Sequence, residues 1–239
     1  VSDILMNSTF ADDELARERT VVLQEIGQAN DTPDDIIFDT FQETAYPDQP
    51  LGRAILGTTD IVSRMPRETL KGYIDAQYGS DRMILSAAGN LDHDTLAGLA
   101  EKAFASVSPS QAEAPIPGVY TGGDNREIRD LEQAHLVMGF DGVGYDDDDY
   151  YPLAILSTAL GGGMSSRLFQ EVREKRGLVY SIYTFSSAYQ DGGLFGLYAG
   201  TGADEVAELV TVVCDELRRV ALDPMDDGEI ARSRAQIKA

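Results

Sequence analysis

Two pairs of side chains carry most of the chemistry open to this sequence. Arg173 and Tyr180 lie seven residues apart, the first in a short helical stretch and the second at the start of a strand. Arginine donates a planar fork of hydrogen bonds and tyrosine one more, which suits a peptide carbonyl or a tetrahedral oxyanion. The plainer alternative is a surface arginine beside a half-buried strand tyrosine. Glu18 and Glu25 are also seven apart, two helical turns, so both project from nearly one line of a helix that Glu14 shares. Spacing alone reads that line as a solvated acidic stripe. Neither histidine adds to it. His93 sits in the first turn of a helix and His135 in an apolar strand, and neither has a His or Glu at ligand spacing. Both read as structural or surface groups.

Other signals lead away from chemistry. Gly161 to Gly163 precede no G-K-[ST] and follow no strand, so a helix–helix turn fits better than a phosphate loop. Asp146 to Asp149 lack the alternating ligands, central glycine and closing glutamate of a calcium loop, and suit a helix N-terminus. Cys214, the single cysteine, rules out an internal disulfide framework and falls in an apolar helical stripe, which reads as a buried structural thiol.

The elements that must position these groups follow from periodicity and punctuation. Residues 10–28 predict a helix with Leu15, Val22 and Ile26 on one face. Asp31-Thr32-Pro33 starts a second, running to about Tyr46 with Ile37, Phe41 and Ala45 inward. Pro47 to Gly57 reads as loop, Pro66 to Tyr78 as helix, and Met83 to Gly89 as a short buried strand. Asp92 caps a helix through Phe104. Residues 109–122, with three prolines, form the expected linker. Beyond it come strands at 125–130 and 134–140 and a helix from Asp149 to Leu160. The Arg173 helix follows, then strands at 178–189 and 194–201 and a helix at 203–221. A last helix starts near Asp226. Lys175 and Arg176 suit the last turn of the Arg173 helix, and Gly177 its C-terminal stop.

Composition narrows the functional class. With 239 residues, 43% hydrophobic and 8% aromatic, the chain can bury a real core. Its net charge of −22 argues against nucleic acid and anionic membrane surfaces. It leaves either attraction of cationic peptide segments or a merely solubilising acidic surface. No apolar run approaches the roughly 20 residues that span a bilayer, and no signal peptide opens the chain. A soluble protein of cytoplasmic or periplasmic type is expected.

The longest informative string runs from Gly161 to Ser181: small residues, then Ser166-Arg167-Leu168-Phe169, then Arg173-Glu174-Lys175-Arg176-Gly177-Leu178-Val179-Tyr180-Ser181. It resembles the second-domain signature of the pitrilysin/insulinase family of zinc peptidases, which includes the mitochondrial processing peptidases. Glu18-Arg19-Thr20-Val21-Val22-Leu23-Gln24-Glu25-Ile26 is similar to the family segment that follows the zinc-binding helix. The resemblance implies an α+β fold: two homologous domains, each an antiparallel sheet with helices on one face, the first only partly present. Residues 1–108 would be the C-terminal part of the metal-bearing domain, 109–122 the linker and 123–239 most of the substrate-clamping domain.

The resemblance also implies roles. Glu25 would be a zinc ligand, Glu18 an acidic neighbour assisting catalysis, and Arg173 with Tyr180 the substrate clamp. The implied reaction is hydrolysis of peptides or unfolded segments by metal-activated water, with zinc as cofactor. The family's H-x-x-E-H motif does not occur here, and one carboxylate cannot hold catalytic zinc, so this chain alone is expected to be inactive. The rival implication is a non-catalytic, substrate-holding subunit that partners an active chain, as a homodimer or with a paralogue. The presence of both pairs in one sequence favours the enzyme.

Overall fold

The computed structural model describes residues 1–238. In chain order come helices α1 (Ser2–Met6), α2 (Asp12–Asp31), α3 (Pro33–Ala45), α4 (Thr59–Arg64), α5 (Arg67–Gln77) and α6 (His93–Phe104). Then follow strand β1 (Ala134–Gly142), helix α7 (Tyr150–Gly161), strands β2 (Val179–Ala188) and β3 (Gly193–Thr201), and helices α8 (Val206–Leu222) and α9 (Asp227–Lys238). The fold is α+β with an antiparallel sheet.

The chain divides into two compact units, one of Val1–Gln28 with Leu56–Pro115, the other of Ala29–Ile55 with the residues from Ile116 onward. The expected family domains follow the sequence in order, whereas compactness groups residues 29–55 with the later stretch.

The first unit is helical and thinly packed. Ile26 is its one buried apolar side chain among the described residues. Backbone carbonyls captured by arginine hold it instead: Arg19 donates to the carbonyls of Val62 (3.1 Å) and Met65 (2.9 Å), and Arg67 to that of Thr9 (2.7 Å). Asp92 caps α6 as expected, accepting the Thr95 N–H at 2.9 Å. The strand expected over 83–89 does not form. Ile84 is 94% exposed, and no strand lies beside this segment among the described residues, so its backbone has no ladder to join.

The second unit holds the sheet, in the order β1-β3-β2 among the described residues. β3 lies at the centre, paired antiparallel with β1 from Ala134↔Thr201 to Gly142↔Gly193 and with β2 from Ile182↔Ala199 to Ala188↔Gly193. All of β3 is buried, which is why Gly193-Leu-Phe-Gly-Leu-Tyr-Ala-Gly-Thr201 shows no polar alternation. On one face Phe195, Leu197 and Ala199 meet Leu160 of α7, Leu209 and Val213 of α8, and Leu168 and Val172. Each of the buried Leu, Val and Phe side chains among these contributes about 1.5–3 kcal/mol. On the other face α3 lays Phe38 against Phe185 and Tyr198, with centroids 5.4 and 5.7 Å apart. Gly139 leaves room for the ring of Phe41 there. Tyr46 donates to the Gly193 carbonyl at 3.2 Å, and burial pushes its hydroxyl up to about 12, so it remains a donor at ordinary pH.

The strand expected at 125–130 is also absent. Arg126 and Arg129 pair locally with Asp124 and Glu127, and no ladder partner is present among the described residues.

Candidate functional site

Arg173 and Tyr180 are presented by a corner packed on the core. After α7 the chain turns at Gly162 and re-enters helix at Arg167 and Leu168. It then widens, so that the Lys175 N–H bonds to the Gln170 carbonyl five residues back at 3.0 Å. Phe169–Glu174 is thus a π-type turn where the sequence predicts an ordinary short helix. Leu168 and Val172 are fully buried beneath it. The Gly177 N–H bonds to the Arg173 carbonyl at 3.0 Å, and Gly177 holds φ at +65°, where a side chain would be strained.

The strand entry carries a second irregularity. Val179 faces Thr201 but Ser181 faces Gly200, so Tyr180 is an extra residue, a β-bulge. Side chains in a regular strand alternate, which would give Tyr180 the same face as buried Ile182. The bulge reverses this: Val179 and Ile182 are both buried, and Tyr180 is 76% exposed. Thr201 anchors the entry by donating to the Leu178 carbonyl at 2.6 Å.

The two side chains meet on one surface. The Arg173 guanidinium carbon lies 4.8 Å from the Phe169 ring centroid and 6.0 Å from that of Tyr180. Among the described residues no carboxylate pairs with Arg173 and no group bonds to the Tyr180 hydroxyl. Both therefore keep their donors available. Arg167, six residues earlier, is different: it makes a two-pronged bond to Glu229 at 2.7 and 2.6 Å. That ion pair borders a crevice of about 320 Å³ also lined by Glu171, Glu216 and Arg219. There Glu216 pairs with Arg219 at 2.8 Å while burial pushes its carboxyl up, and Glu171 is held down by hydrogen bonds from Lys175 and Arg176. Glu171, Glu216 and Glu229 thus each have a cationic partner.

Glu18 and Glu25 stand on α2 as the spacing requires, and both are exposed. Among the described residues neither carboxylate has a hydrogen-bond or ion-pair partner. Glu14, on the same line, pairs with Arg17 at 2.7 Å. No three His, Cys, Asp or Glu side chains gather in metal-holding geometry among the described residues. A free carboxylate at Glu25 can serve as one ligand, but the residues here do not make a zinc site. His135 bonds through Nδ1 to the Tyr198 hydroxyl at 2.8 Å, a structural contact.

Comparison with known proteins gives this geometry a context. The family model described as insulinase (peptidase family M16) matches residues 1–59, and that described as peptidase M16 inactive domain matches residues 64–237. The chain belongs to peptidase family M16. An uncharacterized zinc protease of Rickettsia felis is 38% identical over 240 residues, covering 100% of this chain and 58% of that protein. One of Bacillus subtilis is 36% identical over 240 residues, with the same coverage. The M16 chain thus spans little over half the length of these relatives. The crystal structure of a peptidase M16 inactive domain from Pseudomonas fluorescens superposes with a TM-score of 0.85 at 22% identity, covering 100% of this chain and 58% of that one. It supports the fold alone. No helix among the described residues of the M16 chain is long and apolar enough to cross a membrane.

The sequence pointed to Arg173 and Tyr180 as a pair but not to Phe169, whose ring lies against the guanidinium. Its spacing of four residues from Arg173 was the available signal, because such pairs are neighbours on a helical surface.

Proposed function

We propose that this chain is the substrate-clamping part, and one-ligand part, of a zinc-dependent endopeptidase acting on peptides or unfolded protein segments. The observation that carries the reading is the Arg173–Tyr180 corner. Two donors of the type that suits a peptide carbonyl stand on one surface, backed by a packed core and paired with no carboxylate among the described residues. In the reaction Arg173 and Tyr180 bind and orient the scissile carbonyl and hold its oxygen as negative charge develops. Glu25 would be this chain's one ligand to the ion, and Glu18 would support it. Zinc, held with further ligands from outside this chain's residues, would supply a water of lowered pKa. Substrate lies extended, as an added strand at a sheet edge.

The names of the relatives support the zinc-protease class, and a match to an inactive-domain model over residues 64–237 supports a role other than holding the metal for that stretch. This chain by itself is expected to give no chelator-sensitive peptide cleavage.

The test uses a full-length protein carrying this sequence, with zinc content, melting temperature and cleavage of an internally quenched peptide as readouts. Glu25→Gln should lose bound zinc and turnover together. Arg173→Ala should lower kcat/KM by about 10²–10³-fold while zinc and stability stay at wild-type levels. Wild-type kinetics for Arg173→Ala would remove the clamp. A zinc-free wild-type protein would favour the non-catalytic subunit.

A further inference from the structure

We propose that Phe169 is the positioning residue of the Arg173–Tyr180 pair, its ring face holding the guanidinium in place of a carboxylate. This rests on the clamp reading above and adds how the clamp is kept ready.

An unpaired arginine on a surface ordinarily samples many rotamers, and ordering it costs free energy each time substrate binds. A carboxylate partner would order it but would occupy the same donors that substrate needs. Arg167 shows that outcome, with its fork filled by Glu229. An aromatic face solves both problems. It attracts the cation through the ring quadrupole, leaving the in-plane N–H donors free. The Phe169 ring centroid lies 4.8 Å from the Arg173 guanidinium carbon and that of Tyr180 6.0 Å from it, so the cation is within reach of both ring faces, Phe169 the nearer.

Phe169 can serve as a fixed platform because it is itself anchored. It is partly buried and packs on the core that contains Leu168 and Val172. It opens the π-type turn and Arg173 lies near its end, so one extra backbone residue sets the spacing between ring and cation. Tyr180 is brought up by its own extra residue, the β-bulge. Single-residue irregularities of this kind commonly re-aim a side chain beside a functional site. Here two of them flank one cation.

The experiment is a double-mutant cycle in the full-length protein, read with an internally quenched peptide. Phe169→Leu keeps an apolar side chain for the core and removes the π face. Phe169→Tyr keeps both, and Arg173→Ala removes the cation. Phe169→Leu is expected to lower kcat/KM about fivefold, with bound zinc unchanged. Phe169→Tyr should restore it. Phe169→Leu combined with Arg173→Ala should be no worse than Arg173→Ala alone, because the ring acts only through the arginine. An impaired Arg173→Ala with additive losses in the double variant, or an unaffected Phe169→Leu, would overturn the positioning role and leave the clamp standing. If Phe169→Leu destabilises the protein, Phe169→Tyr with wild-type stability and Phe169→Leu-like kinetics would overturn it equally. Wild-type kinetics for Arg173→Ala would take both readings down.

Discussion

The two units meet the same task, presenting polar side chains on a surface, by opposite means. In the unit of residues 1–28 and 56–115, Glu18 and Glu25 stand on α2, whose single buried apolar residue is Ile26, and their carboxylates have no hydrogen-bond or ion-pair partner among the described residues. In the other unit Arg173 and Tyr180 rest on a continuous core, with a wide turn and a bulge aiming them and an aromatic ring against the cation. A free carboxylate is the right state for a ligand, since the ion fixes it on binding. A hydrogen-bond clamp needs prior order, because each rotamer left free weakens its hold on the transition state. The contrast therefore tracks the chemistry proposed for each pair.

The largest stability effect that would break this contrast lies under the corner. Leu168 is fully buried beside Val172, Leu209 and Val213. Leu168→Ala should cost about 2–5 kcal/mol, with the spread set by how far the site collapses. Native-state hydrogen exchange reads the units separately. The β3 amides should lose protection, while those around Glu18 should not. A loss below about 1 kcal/mol at β3 would mean that the corner is not held by this core.

A smaller effect tests the ion pair behind the corner. The Arg167 and Glu229 side chains are each only 18% exposed, so removing one partner strands a largely buried charge. Arg167→Ala should cost about 3 kcal/mol near neutral pH. The hydrogen bond from Arg167 holds the Glu229 carboxyl below its ordinary range. Its stabilisation is therefore full above the unfolded value of 4.5 and is lost as pH falls through the lower folded value. Glu216 runs the other way: burial raises it, so its contribution is full below 4.5 and fades as pH rises. Thermal melts of wild type and Arg167→Ala should converge as the solution is acidified. Parallel melting curves down to strongly acidic pH would show that the pair does not carry this stability.

The longer helices and the β2–β3 hairpin were legible because their signals are local: the Pro33 start, the Asp92 cap, the apolar stripe of α8 and the long apolar runs of the strands; the short α1 and α4 carry too few residues to show a period. Segments 83–89 and 125–130 were misread for a non-local reason. A strand is defined by its neighbour, and an apolar or alternating run with no ladder partner stays extended without joining a sheet. Arg173 and Tyr180 were singled out through their setting in a long string, and the structure sets their side chains on one surface. The two single-residue insertions that aim them were not singled out, since a π-type turn and a bulge show no composition of their own. The bulge did leave one trace. Val179 and Ile182 are both apolar, three apart, which a regular strand could bury only on opposite faces.

The smallest expected effect is also the sharpest on the acidic side. Glu18→Gln and Glu25→Gln keep side-chain length and a helix-forming residue, and neither carboxylate has a partner to lose among the described residues. Both substitutions should leave the protection of α2 amides within about 0.5 kcal/mol of wild type in metal-free protein. Relief of repulsion among neighbouring acids could even raise it slightly, because α2 carries Asp12, Asp13 and Glu14 besides these two. The informative result is a difference between the two positions. If Glu25→Gln destabilised α2 by more than about 1 kcal/mol without metal, its carboxylate would be holding the fold. A residue committed to such a contact is not waiting for an ion, and the ligand assignment would fall even though Glu25 stands where the spacing put it.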